Sequence, residues 1–254
     1  MASLDALYDA VCATPDDDAP RIAYATAVAK TDPDRAEYIR LELQLAKWRR
    51  TDGGTPDERM KMSVRARVLL DKHKRAWEAN VRALVGGETG FYSGFPEYVS
   101  LEAPRFLKLA PELYRRAPIR HLDLSDVKPV AAALASSPHL ARIVSLSMLR
   151  CELGDAEVAL FAKSPYLTKL GWLDLSLNAI GEAGLDALAA STRLPKLGYV
   201  SLANNRVADP TPTHADGYDA TSAVALALQK KYGPRPWLDA RPRSTWPPER
   251  DAIM

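Results

Sequence analysis

The sequence predicts an α/β protein in two parts, an N-terminal helical module followed by a short stack of strand–turn–helix units whose strands run parallel. Three observations carry this expectation. Leu173, Leu175, Asn178 and Ile180 return 27 residues later as Val200, Leu202, Asn205 and Val207. In the first half the apolar residues instead recur three and four apart, the period of an amphipathic helix. Composition suits both halves: of 254 residues 47% are hydrophobic, yet aromatics make up only 7%, with four Phe.

Stepping back 27 residues from Leu173 gives Leu146, Met148, Cys151 and Leu153, and Leu122 with Leu124 opens a shorter unit 24 residues before Leu146. Led by Ile119, Ile143, Leu170 and Leu197, the units follow L-x-x-L-x-L-x-x-N/C-x-L, the leucine-rich-repeat signature. The L-x-L core is a short strand, so its leucines enter a solenoid interior while the alternate residues line the concave surface. The Asn or Cys position falls where the chain turns away; a carboxamide there bonds backbone groups that the turn leaves unpaired, and Cys151 is a small buried substitute. Alanine-rich stretches at 129–136, 155–162 and 181–190 read as the convex helices. Gly181 and Gly184 read as a close strand-to-helix turn, since no Lys follows them as a phosphate loop requires. Tyr98 to Leu101 reads as a degenerate edge strand opening the stack.

Upstream, Leu4, Leu7, Tyr8, Val11 and Cys12 share helical spacing, which places Cys12 in a core. Asp16, Asp17 and Asp18 precede Pro20; Asp18 reads as the N-cap of a helix running to about residue 30, which is preferred to a cation site because no alternating acids or terminal Glu follow. Asp32-Pro33 repeats the start signal for a long helix with Tyr38, Leu41, Leu45 and Trp48 on one stripe and Ile39, Leu43 and Ala46 beside it. After a loop at 51–56, a helix over 57–84 is expected to turn Met60, Val64, Leu70, Trp77, Val81 and Leu84 inward.

Two stretches here, Pro15-Asp-Asp-Asp-Ala-Pro-Arg-Ile-Ala-Tyr-Ala25 and Asp34-Arg-Ala-Glu-Tyr-Ile-Arg40, resemble the bacterial repeat-companion domain, a helical module found at the N-terminus of leucine-rich-repeat proteins. Gly94-Phe-Pro-Glu-Tyr-Val-Ser-Leu101 and Ala117-Pro-Ile-Arg-His-Leu-Asp-Leu124 resemble the stretch that joins that module to its repeats. The likeness spans most of residues 1–207 and implies a layout rather than a chemistry. One departure stands out: Thr26-Ala27 occupies the place of the family's usual Asp-Trp pair. The repeats separately resemble the ribonuclease-inhibitor class, which implies a curved binding surface. The expected division is therefore 1–90 for the helical module, 91–207 for the solenoid, and 208–254 for a capping helix and a Pro-rich tail bearing Trp237 and Trp246.

Charge and motifs narrow the function classes. A net charge of +2 gives no mandate for nucleic acid or an anionic membrane. Locally, residues 1–39 carry three basic and eight acidic groups, and residues 40–82 twelve and six. Interleaved acids on a helical period make the second stretch a solvated helix face, so nucleic acid is disfavoured as a partner. Two cysteines and an acidic N-terminus point to a reducing, cytoplasmic setting, with no membrane span and no signal peptide. The four histidines lie in unrelated segments and none of the common catalytic or metal motifs occurs, so no enzyme activity, cofactor or metal is expected.

What remains is binding. In-register strands would align His121, Ser145, Trp172 and Tyr199 in one column and Asp123, Ser147, Asp174 and Ser201 in the next, followed by Ser125, Leu149, Ser176 and Ala203, then Asp126, Arg150, Leu177 and Asn204. Trp and Tyr side by side on an exposed face are favoured interface anchors. The expectation is a non-enzymatic scaffold, adaptor, inhibitor or immunity-type protein that holds a protein partner through Trp172 and Tyr199, with His121, Asp123, Arg150 and Asp174 as polar contacts. The alternative is a regulator of an enzyme or GTPase, or an enzyme, acting through Asp18, Arg21, Glu37 and Arg40 of the helical module.

Overall fold

The computed structural model describes residues 2–207 and 223–238, so most of the expected tail, Trp246 included, lies outside the described residues. Ten α-helices and six strands occur among them, helices first, and the strands join one mostly parallel sheet in the order β1 to β6. The chain divides into two compact units, one of residues 1–99 and 109–119 and the other of 100–108 and 120–254.

The first unit begins with α1 (Leu4–Ala13), capped by the Ser3 hydroxyl, and α2 (Asp18–Val28). Its N-cap is Asp17, not Asp18: Asp17 Oδ1 accepts from the Ala19 amide at 2.8 Å, while Asp18 pairs with Arg50 at 3.1 Å. Helix α3 (Pro33–Thr51) starts at Asp32 as its Asp-Pro signal requires. The expected helix over 57–84 is two, α4 (Pro56–Trp77) and α5 (Ala79–Val85), broken at Glu78. That carboxylate is buried, accepting from the Thr89 hydroxyl and from Arg82 at 2.8 Å. Met60 and Val64, expected inside, lie exposed together with Val68. Helix α4 instead turns Met62, Ala66 and Leu69 toward the core that Tyr38, Leu45 and Phe91 form.

Strands β1 (Thr89–Tyr92) and β2 (Phe95–Glu102) form an antiparallel hairpin. Ser93 and Gly94 turn it with φ of 47° and 86°, both left-handed as a two-residue hairpin of this kind needs. A Cβ on Gly94 would stand 2.8 Å from the Ile39 Cα, so only glycine fits there. Helix α6 (Ala103–Arg116) follows, unanticipated although Ala103, Phe106, Ala110 and Leu113 bury one stripe at helical spacing. Inside the first unit Arg21 and Glu97, each 1% exposed, pair at 2.8 Å. Arg21 also donates to the carbonyls of Pro15 at 2.8 Å and Ser93 at 3.3 Å.

In the second unit β3 (His121–Ser125), β4 (Ser145–Ser147), β5 (Trp172–Asp174) and β6 (Tyr199–Ser201) pair parallel in sequence order. The intervening helices are α7 (Ala131–Ala135), α8 (Asp155–Ala162) and α9 (Glu182–Ala190). Apolar rows fall on the 27-residue step and are buried throughout: Leu146, Leu173 and Val200; Leu134, Phe161 and Leu188; Leu140, Leu167 and Leu194. Polar rows share it. Asn178 and Asn205 both reach back across one repeat, their Nδ2 donating to the Met148 and Leu175 carbonyls respectively at 2.9 Å. Gly184 is required by packing, since a Cβ there would meet Asp155 Oδ1 at 2.7 Å. Beyond β6, α10 (Ala223–Tyr232) buries Ala225 and Leu228. Lys231 and Tyr232 tie it to Asp186 of α9 at 2.7 and 2.5 Å.

Removing one partner of the buried Arg21–Glu97 pair strands the other charge. Glu97→Ala is expected to lower the unfolding free energy by about 3–5 kcal/mol in urea denaturation, and the double change Arg21→Met with Glu97→Leu by clearly less. A single-variant loss below about 1 kcal/mol would show that the pair behaves as a surface bridge.

Candidate functional site

The site follows from the strand register. His121 pairs with Ser145, Ser145 with Trp172 and Trp172 with Tyr199, and the second row runs Asp123, Ser147, Asp174, Ser201. Because side chains alternate across a strand, both rows stand on the face opposite the core leucines. The Trp172 and Tyr199 rings stack at 5.7 Å between centroids with 5° between planes. Ser176 and Ser201 hydroxyls bond at 2.7 Å alongside.

Exposure corrects the expected site. Trp172 is only 7% exposed, His121 2% and Asp174 6%, so three of the six expected contact residues offer no open surface. Tyr199 covers one face of the Trp172 indole. Asp174 turns Oδ1 back to accept the Ser176 amide at 2.9 Å, a local side-chain-to-backbone turn. Burial, with the Arg120 charge beside it, pushes His121 down to about 3, which keeps the imidazole neutral. Asp123 and Tyr199 are half-buried and Arg150 is exposed. Asp123 takes a long hydrogen bond from Ser100 at 3.4 Å.

Beside these columns the fourth aligned column shares a backbone conformation that the strand alignment did not specify. Asp126, Arg150, Leu177 and Asn204, one from each repeat, all adopt left-handed backbone with φ of 51–58°. All four are exposed, Leu177 at 38%. Asn and Asp enter this conformation readily, whereas Arg and Leu pay a steric penalty of about 1–2 kcal/mol. The strand ladder holds them there, the Arg150 amide donating to the Ser176 carbonyl at 3.1 Å and Leu177 to Ala203 at 2.8 Å. The signal was present: Asn204 and Asp126 occupy the matching places in their own repeats, and those residue types favour φ above zero.

Beneath this row Asn178 Oδ1 accepts from the Cys151 and Leu153 amides at 2.9 and 3.0 Å. Cys151 is buried with its thiol pushed up by desolvation, and Sγ donates to the Leu124 carbonyl at 3.1 Å, which suits structure rather than reactivity. The serines at 137, 164 and 191 form a further row on the 27-residue step, which was legible and missed. Each hydroxyl accepts an amide two residues on, and Ser164 and Ser191 also donate to the Ala135 and Ala162 carbonyls one repeat back.

The alternative constellation in the helical unit is not assembled. Asp18 pairs with Arg50, Arg21 with Glu97, Glu37 takes a two-pronged bond from Arg65 at 2.6–2.7 Å, and Arg40 donates to the Ala25 carbonyl at 3.4 Å. That unit instead joins Asp34 to Lys72 and His73 at 2.8 and 2.7 Å, contacts that hold the Asp34 carboxyl down at about 2. His73 stacks on Trp77 at 4.9 Å. Among the described residues no group of three potential metal ligands occurs, and no helix is long and apolar enough to cross a membrane.

His121 makes stability depend on acid. Its folded value lies below the unfolded one, so the unfolded chain takes up a proton that the native state refuses as pH falls from about 6.5 toward 3. His121→Gln removes that linkage. Across this window the parent chain is expected to lose up to about 1.4 kcal/mol more per pH unit than the variant in denaturant titrations. Parallel stability profiles for the two would show the imidazole to be solvated.

Comparison with known proteins returned no matching family model, no matching curated protein and no matching solved structure.

Proposed function

We propose that this chain is a leucine-rich-repeat protein of the repeat-companion type, a non-enzymatic scaffold that holds a protein partner on the concave face of a short solenoid. In this reading β3 to β6 line the concave side and α7 to α9 the convex side. One observation carries it: four successive repeats align an exposed, left-handed row, Asp126, Arg150, Leu177 and Asn204. A rigid row of this kind, presenting an acid, a base, an apolar group and an amide at one-strand intervals of about 4.8 Å, offers a partner a preorganised edge. Tyr199, partly open, supplies an aromatic anchor near that edge. The contact set is narrower than Trp172, Tyr199, His121, Asp123, Asp174 and Arg150 together. Tyr199, Arg150 and Asp123 remain, Leu177 joins them, and the buried Trp172, His121 and Asp174 support them from beneath.

Two buried free thiols, Cys12 and Cys151, support a reducing, cytoplasmic setting. An activity centred on Asp18, Arg21, Glu37 and Arg40 gains no such support, since each of those side chains is engaged in a separate structural contact.

The test uses surface changes that spare the core. Arg150→Glu, Leu177→Asp and Tyr199→Ala combined are expected to abolish recovery of the partner when the tagged chain is used for affinity capture from native cell extract with mass-spectrometric readout. The melting curve should stay near that of the parent, because Asp suits the left-handed site better than Leu. Undiminished capture by the folded triple variant would overturn the assignment of this face.

A further inference from the structure

We infer that Arg35 is the base of a carboxylate-binding site in the helical unit, which takes the head of a monocarboxylate carried on an apolar stem. This does not depend on the reading of the sheet face as a binding surface.

The first observation is a buried cation without an acceptor. Arg35 is 4% exposed, and its Nη1 is sealed from solvent with no hydrogen-bond partner. Ring faces bound the guanidinium, with Trp77 at 4.6 Å, Phe95 at 5.1 Å, Phe91 at 5.6 Å and Tyr38 at 6.0 Å, and no described residue accepts a hydrogen bond from it. Aromatic faces offset part of the lost hydration, but they leave five N–H donors without oxygen acceptors. Arg21, 1% exposed in the same unit, shows the usual solution. It pairs with Glu97 and donates to the carbonyls of Pro15 and Ser93. A buried charge left without such partners is costly, so an anion that reaches Arg35 gains the pairing that the fold withholds.

The second is that the acid beside Arg35 is turned elsewhere. Asp32 Oδ1 accepts the Arg35 backbone amide at 2.9 Å, and Oδ2 accepts Trp77 Nε1 at 3.2 Å. Its charge favours the protonated guanidinium against burial, which pushes Arg35 down from its ordinary value, but the two side chains form no ion pair.

The third is a further donor of the same kind. Tyr24 is half-buried and its hydroxyl makes no hydrogen bond within the described residues. Its ring and the Arg35 guanidinium both stand against Phe95, at 5.6 and 5.1 Å, and the Arg35 charge lowers the phenol against the rise that burial causes. The surroundings thus hold N–H and O–H donors without matching acceptors, which is the chemistry of an oxyanion receptor.

The shape and charge of the site choose among anions. Of the groups around Arg35, Tyr24, Asp32 and Trp77 are half-buried and reach the surface, and two of the three are aromatic. That rim suits a planar, singly charged carboxylate on an apolar stem, whose two oxygens match the guanidinium fork. A phosphate dianion would need more donors and would meet the Asp32 charge at closer cost.

The experiment labels the full chain with 15N-arginine and assigns the Arg35 Nε–H signal by its loss in Arg35→Lys. Titration with sodium propionate at constant ionic strength is expected to move that signal saturably, while sodium chloride and sodium phosphate leave it in place. In Tyr24→Phe the propionate concentration for half the shift should rise several-fold with the melting curve near that of the parent, because the lost hydroxyl has no other bond. Should Arg35→Lys fail to fold, a saturable arginine signal in the parent that weakens in Tyr24→Phe identifies the site by itself. A capped peptide, acetyl-Ala-Glu-Ala-amide, separates the sources of the carboxylate. Binding tighter than that of propionate assigns the site to an acidic side chain of a partner and weaker binding to a free acid, and both keep the site. A signal unmoved by either carboxylate, moved equally by chloride or phosphate, or moved at the same concentrations in Tyr24→Phe would overturn the inference.

Discussion

Each time the chain leaves one of its short parallel strands it must find partners for amides and carbonyls that no neighbouring strand can reach, and the second unit depends on how that is done. A single carboxamide, Asn178, serves five of them. It accepts the Cys151 and Leu153 amides and donates to the carbonyls of Met148, Leu175 and Ser176. Asn205 repeats the arrangement on Ile180, Leu175 and Leu202. Unpaired, each such buried group would cost about 1–3 kcal/mol, so the ladder constrains where every turn sits. The serines at 164 and 191 do the same at the helix ends. Apolar rows alone tolerate slippage; apolar and polar rows together accept one step length, which is why the spacing stays at 27 residues from Leu146 to Val207.

The first unit is held by a different solution. It encloses charges that carry no periodic signature. Arg21 reaches Glu97 across a long stretch of sequence. Arg35, largely buried, is surrounded by ring faces, with Trp77 at 4.6 Å, Phe95 at 5.1 Å and Phe91 at 5.6 Å. A guanidinium keeps its charge under such burial, and aromatic quadrupoles replace part of the hydration it has lost. These contacts join α3, α4 and the β1–β2 hairpin, so the hairpin is a working part of the helical unit.

That contrast explains what could be read from residues alone. The strand register, the positions of α8 and α9 and the structural role of Cys151 follow from a repeat, because a repeat lets each unit testify about the others. The break at Glu78, the outward turn of Met60 and Val64 and the place of β1 and β2 depend on single long-range contacts, which local periodicity does not encode. The expected contact residues fall between these cases. Alternation assigns Trp172, His121 and Asp174 to the correct face of the sheet, but facing away from the leucines is not the same as facing water. Whether a side chain is open depends on what lies over the sheet, and period-two patterning is silent about that.

The left-handed row shows how the ladder frees a surface for variation. Where Asp126 and Asn204 stand, local preference and tertiary demand agree. Where Arg150 and Leu177 stand they conflict, yet the backbone angles are the same to within 7° across all four. The amides of Arg150 and Leu177 are engaged by the adjacent repeat, and Asn178 follows immediately, so the conformation is over-determined by its neighbours. Side-chain identity is then released from the task of shaping the turn. A position whose backbone is held by others can carry a charge or an apolar group without having to shape the turn itself.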